Sequence, residues 1–555
     1  MGVKAALSKP FAKFIAIGIK KWSSNPIRTQ QKVFDNLINK AKNTAFGKDH
    51  GFNIISSYSD FKKAVPVRDY EELASYVLRV KKGEENVLWP GKPIYLCKTS
   101  GTTSGAKYIP ITKQSMPNHI HSARNALLSY IDGSNEAGFV DGKMIFLQGS
   151  PEMESENGIP IGRLSGIVAH HVPQYLQKNR MPSYEVNCID DWESKVDAIV
   201  DETINENMTL ISGIPAWVQM YFEKLQKKSG GKLIKDIFPN FSLFVYGGVS
   251  YEPYRKRFEE LIGKSIPSVE LYPASEGFIS FQDSQYEEGM LLVLNEGIFY
   301  EFIKADDFFK DDRERISLKD IELGVNYAII LNTNAGLWGY NLGDTIKFVS
   351  KNPYRIIVTG RIKHFTSAFG EHVIAEEVEF ALHEGLKGFD AQIVEFTVAP
   401  QVNPKQGELP YHEWFIEFSK KPNDMKEFIA KMDLLLQQKN PYYADLLKGN
   451  ILQTLKVSPI KEGELPYHEW FIEFSKKPND MKAFIAKMDL LLQQKNPYYA
   501  DLLQGSILQT LKVSVIKEGG FTSFMKSRGK LGGQNKIPRL SNDRKIADEL
   551  FSFIE

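Results

Sequence analysis

A tandem repeat constrains the fold of this chain more than any other feature of its sequence. Residues 407–462 recur as residues 463–518, and the two 56-residue copies differ at only four positions. An array of stacked repeats needs about three or more units to bury a continuous core, so two copies do not predict a solenoid. Each copy reads as strand, helix, helix, strand. We interpret the repeat as a duplicated fragment of a small domain, without a new function.

The segments that flank the repeat lead to a prediction for its packing. The strand-like segment 389–400 runs into the first copy, and the segment that begins at residue 519 runs out of the second. The octapeptide YHEWFIEF occurs at 411–418 and again at 467–474, so either strand fits one slot of a sheet equally well. We therefore predict that one small-domain core forms around one copy and that the other copy is extruded or packed on the outside.

The rest of the chain has the pattern of a large α/β domain. After a helical segment at 11–87, short apolar runs such as FSLFVYG and YRIIVTG alternate with amphipathic helices. This pattern is typical of buried strands between helices. The pattern changes after Gly360, so we predict a large domain at 1–360 and a smaller one at 361–555 that carries both copies.

Charge and cysteine content exclude several classes of protein. The chain has 69 Lys and Arg against 68 Asp and Glu, without the basic excess typical of nucleic-acid binding. The apolar run from Phe14 to Ile19 is too short for a membrane span. Two cysteines, Cys97 and Cys188, are too few for a disulfide framework. We expect a soluble cytoplasmic protein without a nucleic-acid or membrane partner, and the oligomeric state is left open.

The first candidate site is the segment TSGTTSGAKYIPIT at 99–112, which follows the strand-like run PIYLC. Glycines let backbone N–H groups approach phosphate oxygens, and Ser and Thr hydroxyls add donors. Only three residues separate Gly101 from Gly105, so the segment is not a Walker A loop. An ordinary turn is the alternative.

Two further segments carry chemistry. In LYPASEGF at 271–278, Glu276 follows a short apolar stretch and could hold a divalent ion that bridges nucleotide phosphates, while Tyr272 offers a ring for stacking on a base. In GLWGYNLGDTIKF at 336–348, Asp344 could accept both ribose hydroxyls, because an ionised carboxylate has two acceptor oxygens. A solvated glutamate and a core tyrosine are the alternatives.

In this order, TSGTTSGAK, YPASEG and YNLGD resemble the nucleotide motifs of the acyl-adenylate-forming superfamily, which includes acyl-CoA synthetases, adenylation domains and luciferase. Three further matches narrow the resemblance to one family within this superfamily. They are SGTT with Lys107 and Pro110, GRIKHFTSAFGEHV, and QNKIPRLSNDRK. They point to the auxin-responsive Gretchen Hagen acyl acid amido synthetases, in their bacterial branch. The resemblance covers the chain from about residue 20 onward, apart from the duplication. It implies a large adenylate-forming α/β domain of mixed sheets and helices and a smaller, mobile α+β domain.

The resemblance also implies a role for each matching residue. A mobile lysine, Lys536, would meet the carboxylate and the α-phosphate, with Lys530 as the fallback, and Glu276 would bind Mg²⁺. The residues implied to bind ATP are Ser100, Gly101, Thr102, Thr103 and Lys107 on the phosphates, Tyr272, Ala274 and Ser275 on the adenine and α-phosphate side, Asp344 on the ribose, and the hinge residue Arg361.

The function implied is a two-step ligase. A carboxylic acid and ATP give an acyl-adenylate and pyrophosphate, and the amine of an amino acid then displaces AMP. The acyl pocket would be lined by Trp217 and Met220 in SGIPAWVQM and by residues around His170, unless this helix is simply part of the core. Two alternatives stay open: thioester formation with coenzyme A, and a non-catalytic protein that binds nucleotide or acyl acid.

Overall fold

The chain forms two compact units in a computed structural model. The first unit holds residues 1–189 and 193–461, and the second holds residues 190–192 and 462–555, so the division falls between the two copies of the repeat. The predicted boundary after residue 360 stays a prediction. The structure describes residues 2–99, 107–172, 177–189, 191–310, 312–362, 373, 375–401, 409–448, 451–460, 467–474, 477–495, 503, 509–528 and 545–554.

Helices precede the first strand and connect many of the later strands. In chain order the α-helices are α1 Val3–Ser23, α2 Pro26–Ala41, α3 Ala45–Asp49, α4 Tyr58–Ala64, α5 Tyr70–Lys81, α6 Met116–Ser134, α7 Leu164–Ala169, α8 Tyr184–Asn187, α9 Trp192–Thr203, α10 Pro215–Lys228, α11 Ile234–Ile237, α12 Glu252–Ile262, α13 Ala375–Leu386, α14 Met425–Lys439, α15 Pro441–Lys448, α16 Met481–Lys495, α17 Gly520–Ser527 and α18 Lys545–Leu550.

The strands follow the same numbering. They are β1 Tyr95–Thr99, β2 Lys107–Ile111, β3 Lys143–Phe146, β4 Glu154–Glu156, β5 Ile159–Gly162, β6 Arg180–Met181, β7 Met208–Ser212, β8 Leu243–Gly247, β9 Ser268–Ala274, β10 Gly277–Phe281, β11 Met290–Leu292, β12 Ile298–Lys304, β13 Ile316–Ser317, β14 Asn326–Thr333, β15 Tyr340–Lys351, β16 Tyr354–Arg361, β17 Gln392–Gln401, β18 Tyr411–Lys420, β19 Lys456–Ile460, β20 Tyr467–Glu473 and β21 Gln509–Ile516.

Local sequence explains where the entry helices begin. Asp69 caps α5 by accepting hydrogen bonds from the N–H groups of Glu71 and Glu72, and the Glu72 carboxylate accepts from the N–H of Asp69 in return. This reciprocal arrangement satisfies N–H groups that the first helical turn leaves free. One face of α5, with Leu73 and Val77, is buried in the main core.

The large sheet has two halves of different character. Its strand order is β13-β12-β14-β15-β16-β11-β10-β9-β8-β7-β3-β6. Pairs from β9 through β8, β7 and β3 to β6 are parallel, whereas pairs from β9 through β10 to β13 are antiparallel. The parallel half needs helical crossovers, which α10 and α12 provide. The hairpin β9–β10 therefore lies where the two halves meet.

A second sheet, in the order β2-β1-β5-β4, carries the glycine-rich segment. Strands β1 and β2 are antiparallel, and Thr99 lies opposite Lys107. The ends of the predicted phosphate-binding segment are thus held close together. In the part of the chain that the structure describes, no helix is both long enough and apolar enough to cross a membrane.

The repeat folds differently from our prediction. Copy 1 forms β18, α14, α15 and β19, and its strands join β17 in a three-stranded sheet. Copy 2 forms β20, α16 and β21, a separate two-stranded sheet in the second unit. The prediction of a single core, with the other copy extruded or packed on its outside, is therefore wrong, because each copy contributes to a core cluster of its own. Each copy packs against a different flanking segment. The segment before the repeat packs on copy 1, and the segment after the repeat packs on copy 2.

Candidate functional site

The predicted magnesium ligand lies at the tip of a tight hairpin. Ala274, the last residue of β9, is paired with Gly277, the first residue of β10, so Ser275 and Glu276 alone form the turn. A Cβ atom at Gly277 would lie 2.5 Å from Cδ1 of Ile298, which belongs to the main core. A side chain at residue 277 would require the Ile298 side chain to move.

The carboxylate of Glu276 is held by a tyrosine from another strand. The hydroxyl of Tyr340, at the start of β15, donates a hydrogen bond of 3.0 Å to Oε1 of Glu276. Burial raises the pKa of Glu276, and the nearby charge of Asp344 adds to this, while the Tyr340 hydrogen bond and the Lys107 cation act in the opposite direction. A cation placed beside this carboxylate would favour its ionised form.

Asp344 joins the second and third motifs. Its Oδ2 accepts a hydrogen bond of 2.6 Å from the hydroxyl of Tyr272, and its Oδ1 lies 2.9 Å from Nε of Arg361. Arg361 faces Asp344 directly across the β15–β16 ladder. The Asp344 side chain is 13% exposed and that of Arg361 is 53% exposed, so the pair is open to solvent on the arginine side. Tyr272 of β9 thus meets the neighbouring strands β15 and β16 at one place.

Tyr272 is a core residue as well as a site residue. It is 8% exposed, its ring belongs to the main core, and burial together with the charge of Asp344 raises its pKa. Its observed role is to hold Asp344. Stacking of its ring on a base stays a prediction, beside the core alternative.

The remaining residues of the hairpin are also anchored. The thiol of Cys97, on β1, lies 3.2 Å from the hydroxyl of Ser275. Cys97 is fully buried, and burial raises the pKa of its thiol to about 12. Ala274 packs against the main core. The sheet that carries the glycine-rich segment and the hairpin that carries Glu276 are therefore in direct contact.

Several predicted site residues lie outside the described residues. Lys107, the first residue of β2, is described, and its Nζ lies 5.7 Å from the centre of the Tyr70 ring. Those outside the described ranges are Ser100, Gly101, Thr102, Thr103, Lys530 and Lys536.

Of the three predicted acyl-site residues, one lines a described cavity. His170 lines a cavity of about 310 Å³ together with Arg180 and Tyr184, and its Nε2 lies 2.9 Å from the carbonyl oxygen of Pro151. Trp217 and Met220 lie half-buried on α10 and are not among the described residues that line this cavity. Their predicted contact with an acyl group stays a prediction.

One residue of the site was missed although a signal for it existed. Tyr340 is the first residue of YNLGD, and Asp344 is the last. Tyr340 and Asp344 both lie on β15, so the missed residue is part of the same motif as Asp344.

A metal ion would have one protein carboxylate at this place. Among the described residues there is no cluster of three or more His, Cys, Asp and Glu side chains that could hold a metal ion. One carboxylate with several phosphate and water oxygens is an ordinary ligand set for Mg²⁺. The donor set around Glu276 therefore fits this ion.

Models of one family match most of the chain. The GH3 family N-terminal domain matches residues 17–191 and 175–267, the central domain matches 291–361, and the C-terminal domain matches twice, at 376–465 and 460–545. The chain belongs to the GH3 family, as the sequence motifs indicated. The assignment to a bacterial branch stays a prediction.

Curated relatives are plant enzymes of moderate similarity. The chain is 22% identical over 389 residues to jasmonoyl–L-amino acid synthetase JAR4 of Nicotiana attenuata, covering 58% of this chain and 66% of that protein. It is 20% identical over 398 residues to indole-3-acetic acid-amido synthetase GH3.4 of Arabidopsis thaliana, covering 59% and 66%. The matches thus span just under two thirds of these relatives.

Solved structures confirm the predicted fold. The AtGH3.15 acyl acid amido synthetase in complex with 2,4-DB superimposes with a TM-score of 0.65 at 16% identity, covering 98% of this chain and 96% of that chain. A 2-hydroxyisobutyryl-CoA ligase in its postadenylation state superimposes with a TM-score of 0.54 at 12% identity, covering 84% and 92%. The chain therefore shares the mixed α/β fold of these two ligases.

Proposed function

We propose that this chain is an ATP-dependent acyl acid amido synthetase. The observation that carries the proposal is the meeting of Glu276, Asp344 and Arg361 around Tyr272 and Tyr340, in a member of the GH3 family. The substrates are ATP, a small carboxylic acid and an amine such as that of an amino acid. In the first step a carboxylate oxygen bonds to the α-phosphorus while pyrophosphate leaves. In the second, the amine nitrogen bonds to the acyl carbon, loses a proton and displaces AMP.

The residues of the site would bind the nucleotide through fixed hydrogen-bonding groups and charges. Tyr272 and Arg361 fix both oxygens of Asp344, which leaves further lone pairs on this carboxylate for ribose hydroxyls. Lys107 places a cation near Glu276 on the side of the glycine-rich segment. Such fixed groups lower the barrier because they need no reorganisation when charge develops.

Glu276 would hold Mg²⁺, and that ion would supply positive charge where phosphate charge accumulates. Burial raises the pKa of this carboxylate, and a cation bound beside it would favour its ionised form. Tyr340 keeps Oε1 oriented through its hydrogen bond. Lys536 would add the mobile positive charge of the small domain during adenylation.

The test is ATP–pyrophosphate exchange over a panel of carboxylic acids. We expect exchange that depends on one class of acid and is lost in Glu276→Gln, with the fold unchanged. Glu270→Gln is the matched control, because Glu270 is a half-buried glutamate on β9 whose pKa burial raises to about 7, but it lies outside the site. Normal exchange in Glu276→Gln would overturn the metal role.

The position of Lys107 gives a second test, of the pH profile. As the pH falls through the raised pKa of Glu276, its carboxylate takes up a proton and loses the charge that the metal needs. Lys107→Met removes a cation that lowers this pKa, so the acidic limb of exchange should move to higher pH. Lys98→Met, whose cation faces Glu154, should not move it. An unmoved limb in Lys107→Met would refute the coupling.

The fold shared with a CoA ligase keeps thioester formation as a second candidate. Both reactions give hydroxamate when the adenylate is trapped with hydroxylamine, so the acceptor decides. An amide formed with an amino acid in the absence of thiol supports the synthetase, and a thioester formed only with coenzyme A supports the ligase. ATP binding without any exchange would indicate a non-catalytic binding protein.

We also propose a cytoplasmic location. Its support is that both cysteines, Cys97 and Cys188, are free thiols, as is usual in a reducing compartment. Fractionation with the protein at native level tests it.

A further inference from the structure

A buried asparagine binds the backbone just beyond the hairpin tip. The side-chain Nδ2 of Asn118 donates a hydrogen bond of 3.1 Å to the carbonyl oxygen of Phe278, and its Oδ1 accepts one of 2.6 Å from the N–H of the same residue. Asn118 is 2% exposed. The orientation of the amide is forced, because a carbonyl needs a donor and an N–H needs an acceptor.

The amide takes the place of a neighbouring strand. In β10, Ser280 and Phe281 pair with β11, further along the strand than Phe278. On the other side of β10, the pairing with β9 is irregular between Phe278 and Ser280. Asn118, in the first turn of α6, therefore supplies a hydrogen-bond partner to both backbone polar groups of Phe278.

Three contacts then hold the segment Glu276–Phe278. Tyr340 binds the carboxylate, Ile298 packs where a Cβ of Gly277 would lie, and Asn118 binds both polar groups of Phe278. Only the first of these touches the functional group itself. The other two fix the backbone from which the carboxylate projects.

We propose that Asn118 is a positioning residue for Glu276. This inference rests on the proposed function, in which Glu276 holds the metal that accompanies ATP. Asn118 contacts neither metal nor nucleotide and acts through the two backbone bonds of the residue that follows Gly277. Loss of an outer group that orients a metal ligand typically weakens metal binding by about 10–100-fold.

The experiment uses two substitutions. Asn118→Leu keeps the approximate size and removes both hydrogen bonds, whereas Asn118→Asp keeps the acceptor and removes the donor. Asn440→Leu is the matched control, because Asn440 is also buried, at 3% exposed. Its side-chain oxygen accepts a hydrogen bond from the backbone N–H of Tyr443, and its side-chain nitrogen donates one to Glu377. Should Asn118→Leu fail to fold, Asn118→Asp carries the same test.

The first readout is the Mg²⁺ concentration that gives half-maximal binding of ATP in calorimetry. We expect it to rise about 10–100-fold in the Asn118 variants, with metal-free ATP binding unchanged, and to stay constant in Asn440→Leu. A loss of thermal stability in the Asn118 variants without any change in Mg²⁺ dependence would overturn the proposal and leave Asn118 a purely structural residue.

The second readout needs no nucleotide. In a Cys188→Ser background, the rate at which a thiol reagent modifies Cys97 reports movement of the hairpin tip, because Cys97 is buried against Ser275. The rate should rise in Asn118→Leu and not in Asn440→Leu. Equal rates in all three proteins would contradict the proposal. If the parent shows no pyrophosphate exchange, the proposed function fails while this measurement still decides whether Asn118 holds the hairpin.

Discussion

The two copies of the repeat have nearly the same sequence and the same internal structure, but different neighbours. In copy 1 the parallel strands β18 and β19 pair Glu413 with Lys456, and in copy 2 the strands β20 and β21 pair Glu469 with Lys512. These are equivalent positions. The sequence of a copy therefore determines its own strand register, whatever surrounds it.

Internal hydrogen bonds repeat in the same way. The N–H of Leu455 donates to Asp433 over 2.9 Å, and the N–H of Leu511 donates to the equivalent Asp489 over 2.7 Å. Each bond ties the start of the last strand to the long helix of its copy. Each copy thus forms its own internal hydrogen bonds and does not need the other copy to complete them.

The neighbours differ on the helical side. In copy 1, α13 and β17 cover α14, and Gly385 of α13 approaches so closely that an added Cβ would lie 2.6 Å from Cγ of Met432. Three core residues of copy 1 are buried whereas their equivalents in copy 2 are half-exposed: Trp414 and Trp470, Phe428 and Phe484, and Met432 and Met488.

The neighbours also differ on the opposite face of the sheet. In copy 2, Phe471 and Ile516 form a small core with Phe524 of α17 and Leu550 of α18. The carboxylate of Glu473 accepts hydrogen bonds from the N–H groups at the start of α17. The segment after the repeat is therefore anchored to the face that does not carry the helices of the copy.

The difference teaches that the two flanking segments use different surfaces. Trp414 and Ile416 point to the helical side, so Phe415, the equivalent of Phe471, points to the other side. One copy can therefore carry both segments at once, as a single C-terminal domain. The two matches to the C-terminal domain model, 376–465 and 460–545, agree with two partial versions of one domain.

The largest expected effect comes from the paired tryptophans. Trp414→Ala should lower the free energy of unfolding of the first unit's small sheet by about 3–5 kcal/mol, because Trp414 is fully buried. Trp470→Ala should cost less than half as much in the second unit. Urea unfolding of both variants measures this. Equal losses would show that the two copies have equivalent surroundings, against the structure.

A smaller effect is expected at the anchor of the last segment. Glu473→Gln replaces a charged acceptor with a neutral one, which weakens the hydrogen bonds from the N–H groups of Gly519 and Phe521. We expect the free energy of unfolding to fall by about 1–2 kcal/mol. Hydrogen exchange in α17 should speed up accordingly. Glu417→Gln, at the equivalent position of copy 1, should leave exchange in α17 unchanged. Faster exchange in that control would mean that the segment binds copy 1 instead.

The smallest effect should be the same in both copies. The hydroxyl of Ser458 donates to Glu413 over 2.5 Å, and that of Ser514 donates to Glu469 over the same distance. Replacing either serine by alanine should lower the free energy of unfolding by about 1 kcal/mol. Chemical denaturation of the two variants compares them, and a clear difference would show that the internal structure of a copy depends on its neighbours.

Much of the fold was predictable because it depends on local pattern. The order strand, helix, helix, strand within a copy is confirmed by β18, α14, α15 and β19. The alternation of short apolar runs and amphipathic helices correctly indicated an α/β domain. The packing of the copies was not predictable in this way, because two nearly identical sequences give no information on which flanking segment each will bind.

The site was partly predictable for a related reason. The motifs named Glu276, Asp344 and Arg361, and the structure brings these residues together, while their roles stay predictions. Asn118 could not be found, since its partner Phe278 is 160 positions away and its own segment has no distinctive pattern. Contacts of this kind depend on the packing of α6 against β10, which no local periodicity records.

The most direct test of this account is ATP–pyrophosphate exchange by a chain from which residues 407–462 have been deleted. Because the preceding and following segments bind different surfaces of a copy, we predict that the remaining copy holds both, that the shortened protein folds, and that its exchange rate at least equals that of the parent. The full-length Glu276→Gln variant provides the inactive control. A folded but inactive deletion variant, or one that does not fold, would contradict the claim that one copy completes the C-terminal domain.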